Sequence, residues 1–317
     1  MKAAVVEAYD RPPRYRDFDE PAALADEVIV SVQAAAKSQL VQAQASGKHY
    51  SSPKPPFIPG VDGVGRLPNR QRVYFAFPQA PAGAMAQRVA VKSAYTVALP
   101  DDVDDITAAA IANPGMSSWA ALTERAHLKA GESVLINGAT GASGRLAIQI
   151  AKHLGAGRVV VTGRNPATEA DLRALGADAF IPLTLSPDAL ADRFRKEIAD
   201  GVNVVLDYVW GPSAEVLLKA ATGHGAGEAA HRIRFVNIGS LGGATIALPA
   251  AALRSSGIEM MGSGLGSVSN EALVRSIGGL MRAIHSAKLA IDAESVPLTE
   301  VETAWPGGSG ARMVFTI

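Results

Sequence analysis

The chain has 317 residues, of which 48% are hydrophobic and 19% are charged, and its 30 basic residues balance 30 acidic ones. This composition is typical of a soluble α/β protein with room for two domains, and it excludes a disordered or fibrous chain. Neither sign of charge forms a long block, so we expect no surface for nucleic acid or an anionic membrane. Because cysteine is absent, disulfides, thiolate metal ligands and a cysteine nucleophile are excluded.

The first residues of the chain argue against a targeting segment. The apolar run between Met1 and Glu7 is short and soon interrupted by charge, unlike a signal peptide. No later segment has the 18 or so uninterrupted apolar residues of a membrane span. We therefore expect a cytoplasmic protein without a membrane partner.

Residues 1–112 are predicted to form a mostly β, barrel-like domain. Val5 and Val6 begin a strand, residues 27–33 alternate apolar and polar side chains, and residues 72–77 supply another strand. Residues 101–112 then predict a helix that begins at acidic residues. We expect this helix to end at Asn113-Pro114-Gly115, because proline interrupts helical hydrogen bonding.

The most informative motif lies in residues 133–151, where an apolar run meets a glycine-rich turn and then a helical pattern. Glycines 138, 141 and 144 form a variant of the dinucleotide-binding fingerprint. A helix that begins near Gly144 would direct its free N–H groups at phosphates. The alternative is a glycine turn that only closes a strand against a helix. The candidate cofactor-binding residues of the turn are Gly138, Ala139, Thr140, Gly141, Ala142, Ser143 and Gly144.

A second strand follows at residues 158–162, whose continuous apolar run is typical of a buried parallel strand. At the position where NAD enzymes carry an acidic residue for the ribose, this chain has Gly163, Arg164 and Asn165. A cation in place of an acid favours a 2′-phosphate, so these three residues are predicted to bind NADPH rather than NADH. The alternative for Arg164 is an exposed arginine at a loop tip.

Further apolar runs alternate with helical patterns up to about residue 261, which predicts a doubly wound parallel (Rossmann) sheet. In such a sheet the ligand lies at the carboxyl ends of the strands. The cofactor contacts predicted there are Tyr208, Ile238, Gly239, Ser240, Ser263 and Gly264. Residues 224–231 contain two histidines but no carboxylate at ligand spacing, so they predict a loop rather than a metal site. The tail predicts a helix from residue 271 to 288 and a final strand at 312–317.

Several motifs in this order resemble the medium-chain dehydrogenase/reductases, and most of all their zinc-free quinone oxidoreductase branch. They are Ala34-Ala35-Ala36, residues 46–50, residues 56–65 and the glycine turn. The resemblance implies an α/β fold in which a Rossmann cofactor domain is inserted in a GroES-like, mostly β catalytic domain. We expect the first part of the catalytic domain at residues 1–112 and the cofactor domain at residues 113–265. Residues 266–317 are expected to return to the catalytic domain and complete it.

The same resemblance implies a chain without metal. The zinc ligands of other family members correspond here to Ser38, Val61 and Asp62. Serine and valine cannot replace a thiolate and an imidazole around tetrahedral zinc. The departure from the family's valine-asparagine at Lys37-Ser38 also changes the expected nicotinamide contact.

For catalysis the resemblance points to Tyr50, Ser38 and Asn113. Tyr50 occupies the place of an aromatic residue that faces the cleft, and its hydroxyl could donate a hydrogen bond to a developing negative charge. Asn113 belongs to the stretch that ends beside the nicotinamide. The alternatives are loop packing for Tyr50 and a linker or capping role for Asn113.

The predicted function is an NADPH-dependent reductase that passes a hydride to a quinone or an α,β-unsaturated carbonyl. Its partner is then a small hydrophobic substrate, and the resemblance implies a homodimer formed near the strands of residues 236–265. The alternative is an NADPH-binding sensor or structural protein with little turnover, since a fold alone does not establish catalysis. An alcohol dehydrogenase is disfavoured because the ligands for its Lewis acid are missing.

Overall fold

The computed structural model describes residues 1–222, 230–307 and 310–317, which group into two compact units. The first unit contains Met1–Asn113, Leu273–Ile284 and Ala290–Ile317, and the second contains Pro114–Ala272 and His285–Leu289. A domain division at residues 112 and 265 stays a prediction. Of the predicted loop at 224–231, residues 224–229 lie outside the described part of the chain.

Strands and helices alternate along most of the described chain. In chain order they are β1 (Lys2–Val5), β2 (Arg14–Asp17), β3 (Glu27–Ala36), α1 (Gln39–Ala45), β4 (Asp62–Arg66), β5 (Arg72–Ala76), β6 (Arg88–Lys92), β7 (Thr96–Ala98), α2 (Asp105–Ala120), β8 (Ser133–Asn137), α3 (Ala142–His153), β9 (Arg158–Gly163), α4 (Glu169–Ala174), β10 (Ala179–Pro182), α5 (Pro187–Ala199), β11 (Val202–Asp207), α6 (Gly211–Ala220), β12 (Arg232–Asn237), α7 (Ala250–Arg254), β13 (Gly257–Gly262), α8 (Asn270–Ala283), β14 (Ala293–Pro297), α9 (Val301–Ala304) and β15 (Arg312–Thr316).

The first unit is built on a mostly antiparallel sheet in the order β14-β15-β3-β4-β5-β7, in which β6 also pairs with β3. Strands β1 and β2 form a separate two-stranded sheet. The last strand pairs antiparallel with β3, so that Val314 lies opposite Ala36. The tail of the chain therefore completes a sheet that the N-terminal part begins. The core of this unit includes the fully buried side chains of Val30, Phe75, Met85 and Phe315.

The prediction that α2 ends at residues 113–115 is wrong. The helix continues through Pro114 to Ala120, and a π-helical turn, Ala121–Arg125, follows it directly. Proline removes one helical hydrogen bond, but residues 108–112 just before it are almost completely buried. Burial of this apolar segment thus outweighs the local preference of proline to end a helix.

A second helix boundary also differs from its prediction. Helix α8 ends at Ala283 rather than at residue 288, and Lys288 has a positive φ of 52°. Residues 284–288 form turns instead.

The second unit is a six-stranded sheet in the order β10-β9-β8-β11-β12-β13, and every neighbouring pair is parallel. Helices connect successive strands, as in a doubly wound sheet. All five residues of β8 are buried, as expected for a strand covered on both faces. The predicted Rossmann sheet is confirmed, and its strand order reverses between β8 and β11. In the described residues no helix is both long and apolar enough to cross a membrane.

Candidate functional site

The glycine turn between β8 and α3 is shaped by close packing at two of its three glycines. Gly138 has a φ of 92°, and a Cβ atom there would lie 2.5 Å from Val209 Cγ2. A Cβ at Gly144 would lie 2.5 Å from both the Cα of Ala139 and the carbonyl oxygen of Gly138. These two glycines are therefore required by the fold of the turn itself.

Gly141 differs, because apart from its own chain neighbours no atom of the described residues lies within 4 Å of the place where its Cβ would be. It is the N-cap of α3, which has no side-chain cap and no acidic residue in its first turn. The first amides of a helix have no partner within it, and they carry the positive end of the helix dipole. The turn thus offers open space in front of free N–H groups, which suits a phosphate of a dinucleotide.

Strand β9, which lies next to β8, ends at Gly163 and is followed by Arg164 and Asn165. Gly163 is buried, and a Cβ there would lie 2.6 Å from Thr140 Cγ2 in the glycine turn. Arg164 is exposed, and among the described residues its guanidinium forms no hydrogen bond or ion pair. The Asn165 side chain accepts a hydrogen bond from Ala167 N at 3.1 Å. Arg164 is therefore a cation available to a ligand beside the turn.

The other predicted contacts follow the carboxyl ends of β11, β12 and β13. Tyr208 N donates to Asn137 O at 3.0 Å, while Ile238 N and Gly239 N both donate to Asp207 O, at 2.7 and 3.1 Å. Ser263 N donates to Asn237 O at 2.9 Å, and both Ser240 and Gly264 are exposed. The structure thus brings all the predicted cofactor residues to one edge of the parallel sheet.

The Tyr208 side chain is buried, and its hydroxyl lies 3.3 Å from Ser117 Oγ. Burial raises the pKa of Tyr208 to about 12, although hydrogen bonds with Ser117 and Ser118 act in the opposite direction. Ser117 Oγ donates to Pro114 O at 2.7 Å. Tyr208 therefore stays protonated at neutral pH and donates toward Ser117.

Beneath these segments lies a buried polar network that sequence reasoning missed as a unit. Asn137 Nδ2 donates to Asp207 Oδ1 at 2.8 Å, and Thr162 Oγ1 donates to Asn137 Oδ1 at 2.8 Å. Thr162 Oγ1 also accepts from Gly138 N at 2.9 Å. Asn237 Nδ2 lies 3.3 Å from Asp207 Oδ2. Each member stands at or near the carboxyl end of its strand, directly after two or more apolar residues, which is the signal that could have revealed the network.

The three predicted catalytic residues all belong to the first unit. Tyr50 is 84% exposed, and its ring centroid lies 4.2 Å from that of His49. Ser38 is buried and caps α1 by accepting a hydrogen bond from Val41 N at 3.1 Å. Asn113 is half-buried inside α2. Their catalytic roles stay predictions.

Lys37 has a structural contact that the sequence did not indicate. Its Nζ donates to the carbonyl oxygens of Trp305 and Gly307, at 2.6 and 2.8 Å. Burial lowers the pKa of this amine. The side chain thus ties the segment after α9 to the end of β3.

Asp62, at one of the family's zinc-ligand positions, is buried in the first unit. Its Oδ2 accepts a hydrogen bond from the Tyr74 hydroxyl at 2.8 Å, whereas its Oδ1 has no hydrogen-bond partner within residues 1–222, 230–307 and 310–317. Burial raises the pKa of Asp62 to about 6, against the lowering effects of Tyr74 and the Arg312 charge. Among the described residues, no group of three or more His, Cys, Asp or Glu side chains is placed to hold a metal ion.

Comparison with known proteins gives matches along the whole chain. The zinc-binding dehydrogenase family matches residues 142–277. The "Probable NADPH-dependent quinone reductase tdiC" of Emericella nidulans is 29% identical over an alignment that covers 99% of each chain.

Solved structures give the same result. The quinone oxidoreductase from Thermus thermophilus is 27% identical, with a TM-score of 0.80 and full coverage of both chains. A mycobacterial quinone oxidoreductase aligns over all of both chains with a TM-score of 0.86 at 21% identity, which shows a shared fold. From these matches and the two sheets described above, the chain belongs to the medium-chain dehydrogenase/reductase superfamily and is quinone oxidoreductase-like.

Proposed function

We propose that the protein is a metal-independent oxidoreductase that uses NADPH to reduce a quinone or an α,β-unsaturated carbonyl. The observation that carries the proposal is the uncapped N-terminus of α3 behind Gly141, with the available cation of Arg164 following the adjacent strand. The relative from Emericella nidulans bears the name of an NADPH-dependent quinone reductase. The Thermus thermophilus structure includes a complex with NADPH.

The residues of the second unit fit the parts of this cofactor. The amides at the start of α3 would hold the pyrophosphate, and Arg164 would pair with the 2′-phosphate. Backbone groups at Ile238 and Gly239 would approach the nicotinamide ribose. NADPH, when bound, supplies the hydride that reduces the acceptor.

Reduction places negative charge on an oxygen of the acceptor, and a donor aimed at that oxygen lowers the barrier by about 2.7–4 kcal/mol. We assign this donor role to the Tyr50 hydroxyl, which is exposed and has no hydrogen-bond partner among the described residues. The metal-free part of the proposal rests on Ser38 and Val61, since neither side chain replaces the family's thiolate and imidazole ligands.

The direct test is to mix the purified protein with NADPH, add 1,4-benzoquinone or a simple enone, and follow the absorbance of reduced nicotinamide. Acceptor-dependent loss of NADPH that survives treatment with a chelator supports the proposal. Tight binding of NADPH without oxidation by either acceptor would instead support a sensor or structural protein. Loss of activity with the chelator would overturn the metal-free mechanism.

Gly141→Asp is expected to separate cofactor binding from stability. Aspartate is a favourable N-cap, so the free energy of unfolding should rise by about 0.3–1 kcal/mol. Its charge would lie where the pyrophosphate binds, so the Kd for NADPH should rise at least about tenfold, a loss of ~1.4 kcal/mol. Calorimetric titration and urea unfolding measure the two effects.

Gly141→Ser is the matched control, because serine caps the helix equally well without adding charge. Its loss of NADPH affinity should be smaller than that of Gly141→Asp. If the aspartate variant binds NADPH as tightly as the wild type, the pyrophosphate does not lie at this helix.

Arg164→Ala is expected to weaken NADPH binding by about 10- to 100-fold and to leave NADH binding unchanged. The loss corresponds to a charge-assisted hydrogen bond of about 1.5–3 kcal/mol with the 2′-phosphate. Arg164→Lys keeps the charge but not the planar fork, so its affinity should be intermediate. Equal losses for NADPH and NADH in the alanine variant would contradict this role.

We also propose that the protein is a homodimer formed along β13 (Gly257–Gly262), one of the two outer strands of the parallel sheet. An outer strand leaves one row of backbone groups open to pairing. Leu241, Leu253 and Leu265, in the loops and the helix around β12 and β13, are 87%, 45% and 45% exposed. A monomeric mass in solution by light scattering would rule out this dimer.

A further inference from the structure

The carboxylate of Asp207 is completely buried at the end of β11, and its partners are neutral donors. Its Oδ1 accepts hydrogen bonds from Asn137 Nδ2, Val209 N and Trp210 N, at 2.8, 3.1 and 3.0 Å. Its Oδ2 accepts from Trp210 N at 3.2 Å and from Asn237 Nδ2 at 3.3 Å. No cation in the described chain forms an ion pair with it. Burial of a charge is costly, so this carboxylate must be offset by the donors around it.

Two of those donors belong to a strained backbone segment. Trp210 has a φ of 59° and a ψ of −157°, a combination that is found almost only in glycine. The next residue, Gly211, also has a positive φ of 58°. Because the carboxylate binds the amides of Val209 and Trp210, it stabilises a conformation that these residues would not adopt alone.

The strained segment lies in contact with the two glycine-containing turns of the proposed cofactor site. Val209 Cγ2 lies over Gly138, where a Cβ would approach it to 2.5 Å. At Gly239 a Cβ would lie 2.7 Å from Tyr208 O, and at Gly211 one would lie 2.5 Å from Gly242 O. Residues 208–211 are thus packed closely between the glycine turn and the turn at 239–242.

A second chain of hydrogen bonds joins Asp207 to the glycine turn. Asn137 donates to Asp207 and accepts from Thr162 Oγ1. Thr162 in turn holds the turn, because its Oγ1 accepts from Gly138 N and its backbone oxygen accepts from Ala139 N, both at 2.9 Å. Asp207 therefore holds the segment after β11 directly and the end of β12 through Asn237, whereas it reaches the turn after β8 only through Asn137 and Thr162.

We propose that Asp207 is a positioning residue for the nicotinamide half of NADPH, a role that rests on the proposed function. It does not contact the cofactor, since it is completely buried. Asp207 sets the distances that separate the glycine turn from residues 208–211 and from residues 238–240. These two segments would enclose the nicotinamide ribose. The adenosine half depends on Arg164 and on the start of α3, which Asp207 does not contact.

Asp207→Asn tests this role with a change of almost no volume. An asparagine keeps one acceptor oxygen, but its NH2 group must face donors such as Trp210 N or Asn237 Nδ2. We expect the Kd for NADPH to rise at least tenfold. The Kd for adenosine 2′,5′-bisphosphate, which lacks the nicotinamide half, should change less than threefold.

The matched control is Asp178→Asn. Asp178 lies at the amino-terminal ends of the strands of the same sheet, just before β10, whereas Asp207 lies at a carboxyl end. Asp178 also accepts a backbone amide, Val159 N at 2.6 Å, and it pairs with Lys152 at 2.7 Å. This variant should lower the unfolding midpoint and leave the Kd for NADPH within twofold of the wild type. If Asp207→Asn does not fold, Asn237→Ala takes its place, because it removes the donor to Asp207 Oδ2 and to Gly239 O without altering a contact of the glycine turn.

The outcomes are distinct. A wild-type protein that does not bind NADPH overturns the proposed function itself. If the wild type binds, but Asp207→Asn or its substitute loses stability and keeps its NADPH affinity, then Asp207 has a structural role only. Equal losses for NADPH and for the bisphosphate also overturn the proposal, because they show a general collapse of the site. A selective loss for NADPH supports it.

Discussion

Arg234→Met is expected to lower the free energy of unfolding by about 3 kcal/mol, the lower end of the cost of breaking a buried ion pair, because the Glu132 partner that is left alone is only half-buried. Arg234 is 5% exposed, and its Nη2 donates to Glu132 Oε1 at 2.6 Å. Its Nη1 donates to Ala126 O at 2.6 Å and to His127 O at 3.2 Å, just after the π-helical turn. Burial acts to raise the pKa of Glu132, but Arg234 and the amide of Lys129 hold it below its ordinary value. Methionine would thus leave a half-buried carboxylate and two carbonyls without this donor.

Arg232→Met, two residues earlier on the same strand, is the matched control. Arg232 also forms an ion pair, with Glu259 at 2.7 Å, but both side chains are largely exposed. Such surface pairs contribute about 0–1 kcal/mol. Urea unfolding of both variants measures the difference, and equal small losses would show that the Arg234 bridge contributes no more than an exposed pair.

Asp62→Asn is expected to stabilise the protein at pH 8 by about 3 kcal/mol and to have little effect near pH 4. The pKa of Asp62 is raised by burial from its ordinary 3.8 to about 6, so the folded chain holds a proton that the unfolded chain has lost. Stability therefore falls as the pH rises from about 4 to about 6, and the penalty persists above that range. The difference of the two pKa values corresponds to about 3 kcal/mol. Asparagine resembles the neutral carboxyl and can still accept from the Tyr74 hydroxyl.

The measurement is the free energy of unfolding of wild type and variant at several pH values between 4 and 8. Only the difference in unfolding free energy between wild type and variant reports on Asp62. Asp104, Glu132 and Asp178 have lowered pKa values, so their contribution to stability rises with pH in both proteins. A variant that is equally destabilised at every pH would show that the Asp62 carboxylate stabilises the pocket between Tyr74 and Arg312.

The parallel sheet was predictable because most of its strands contain a short, continuous apolar run, which can be recognised in the sequence without knowledge of the rest of the fold. The strand at 158–162 was predicted to within one residue of β9 (Arg158–Gly163). The course of α2 was not, because a proline is visible locally whereas the burial of residues 108–112 is decided by the rest of the fold. Local signals alone favoured the wrong end for this helix.

The glycine turn was also predictable, because it depends on the spacing of three residues in one short segment. The network beneath it was not, because Asn137 and Asp207 are 70 residues apart and a polar residue at a strand end can face either a ligand or another strand. The contact of Lys37 with the segment at 305–307 likewise joins distant parts of the chain, 268 residues apart at Trp305. Such contacts leave no periodic pattern in the sequence.

The arrangement of the network also bears on how the protein folds. Its members come from β8, β9, β11 and β12, and the two central strands, β8 and β11, are separated in sequence by two other strands of the same sheet. Contacts between such distant segments form slowly, because long loops must close before any pairing energy is gained. The glycine turn can form early with its own helix, but the Asp207 carboxylate that holds the strained backbone at Trp210 gains its donors Asn137 and Asn237 only when β8, β11 and β12 pair. The proposed nicotinamide pocket is therefore a late product of folding, whereas the helix that faces the phosphates is an early one.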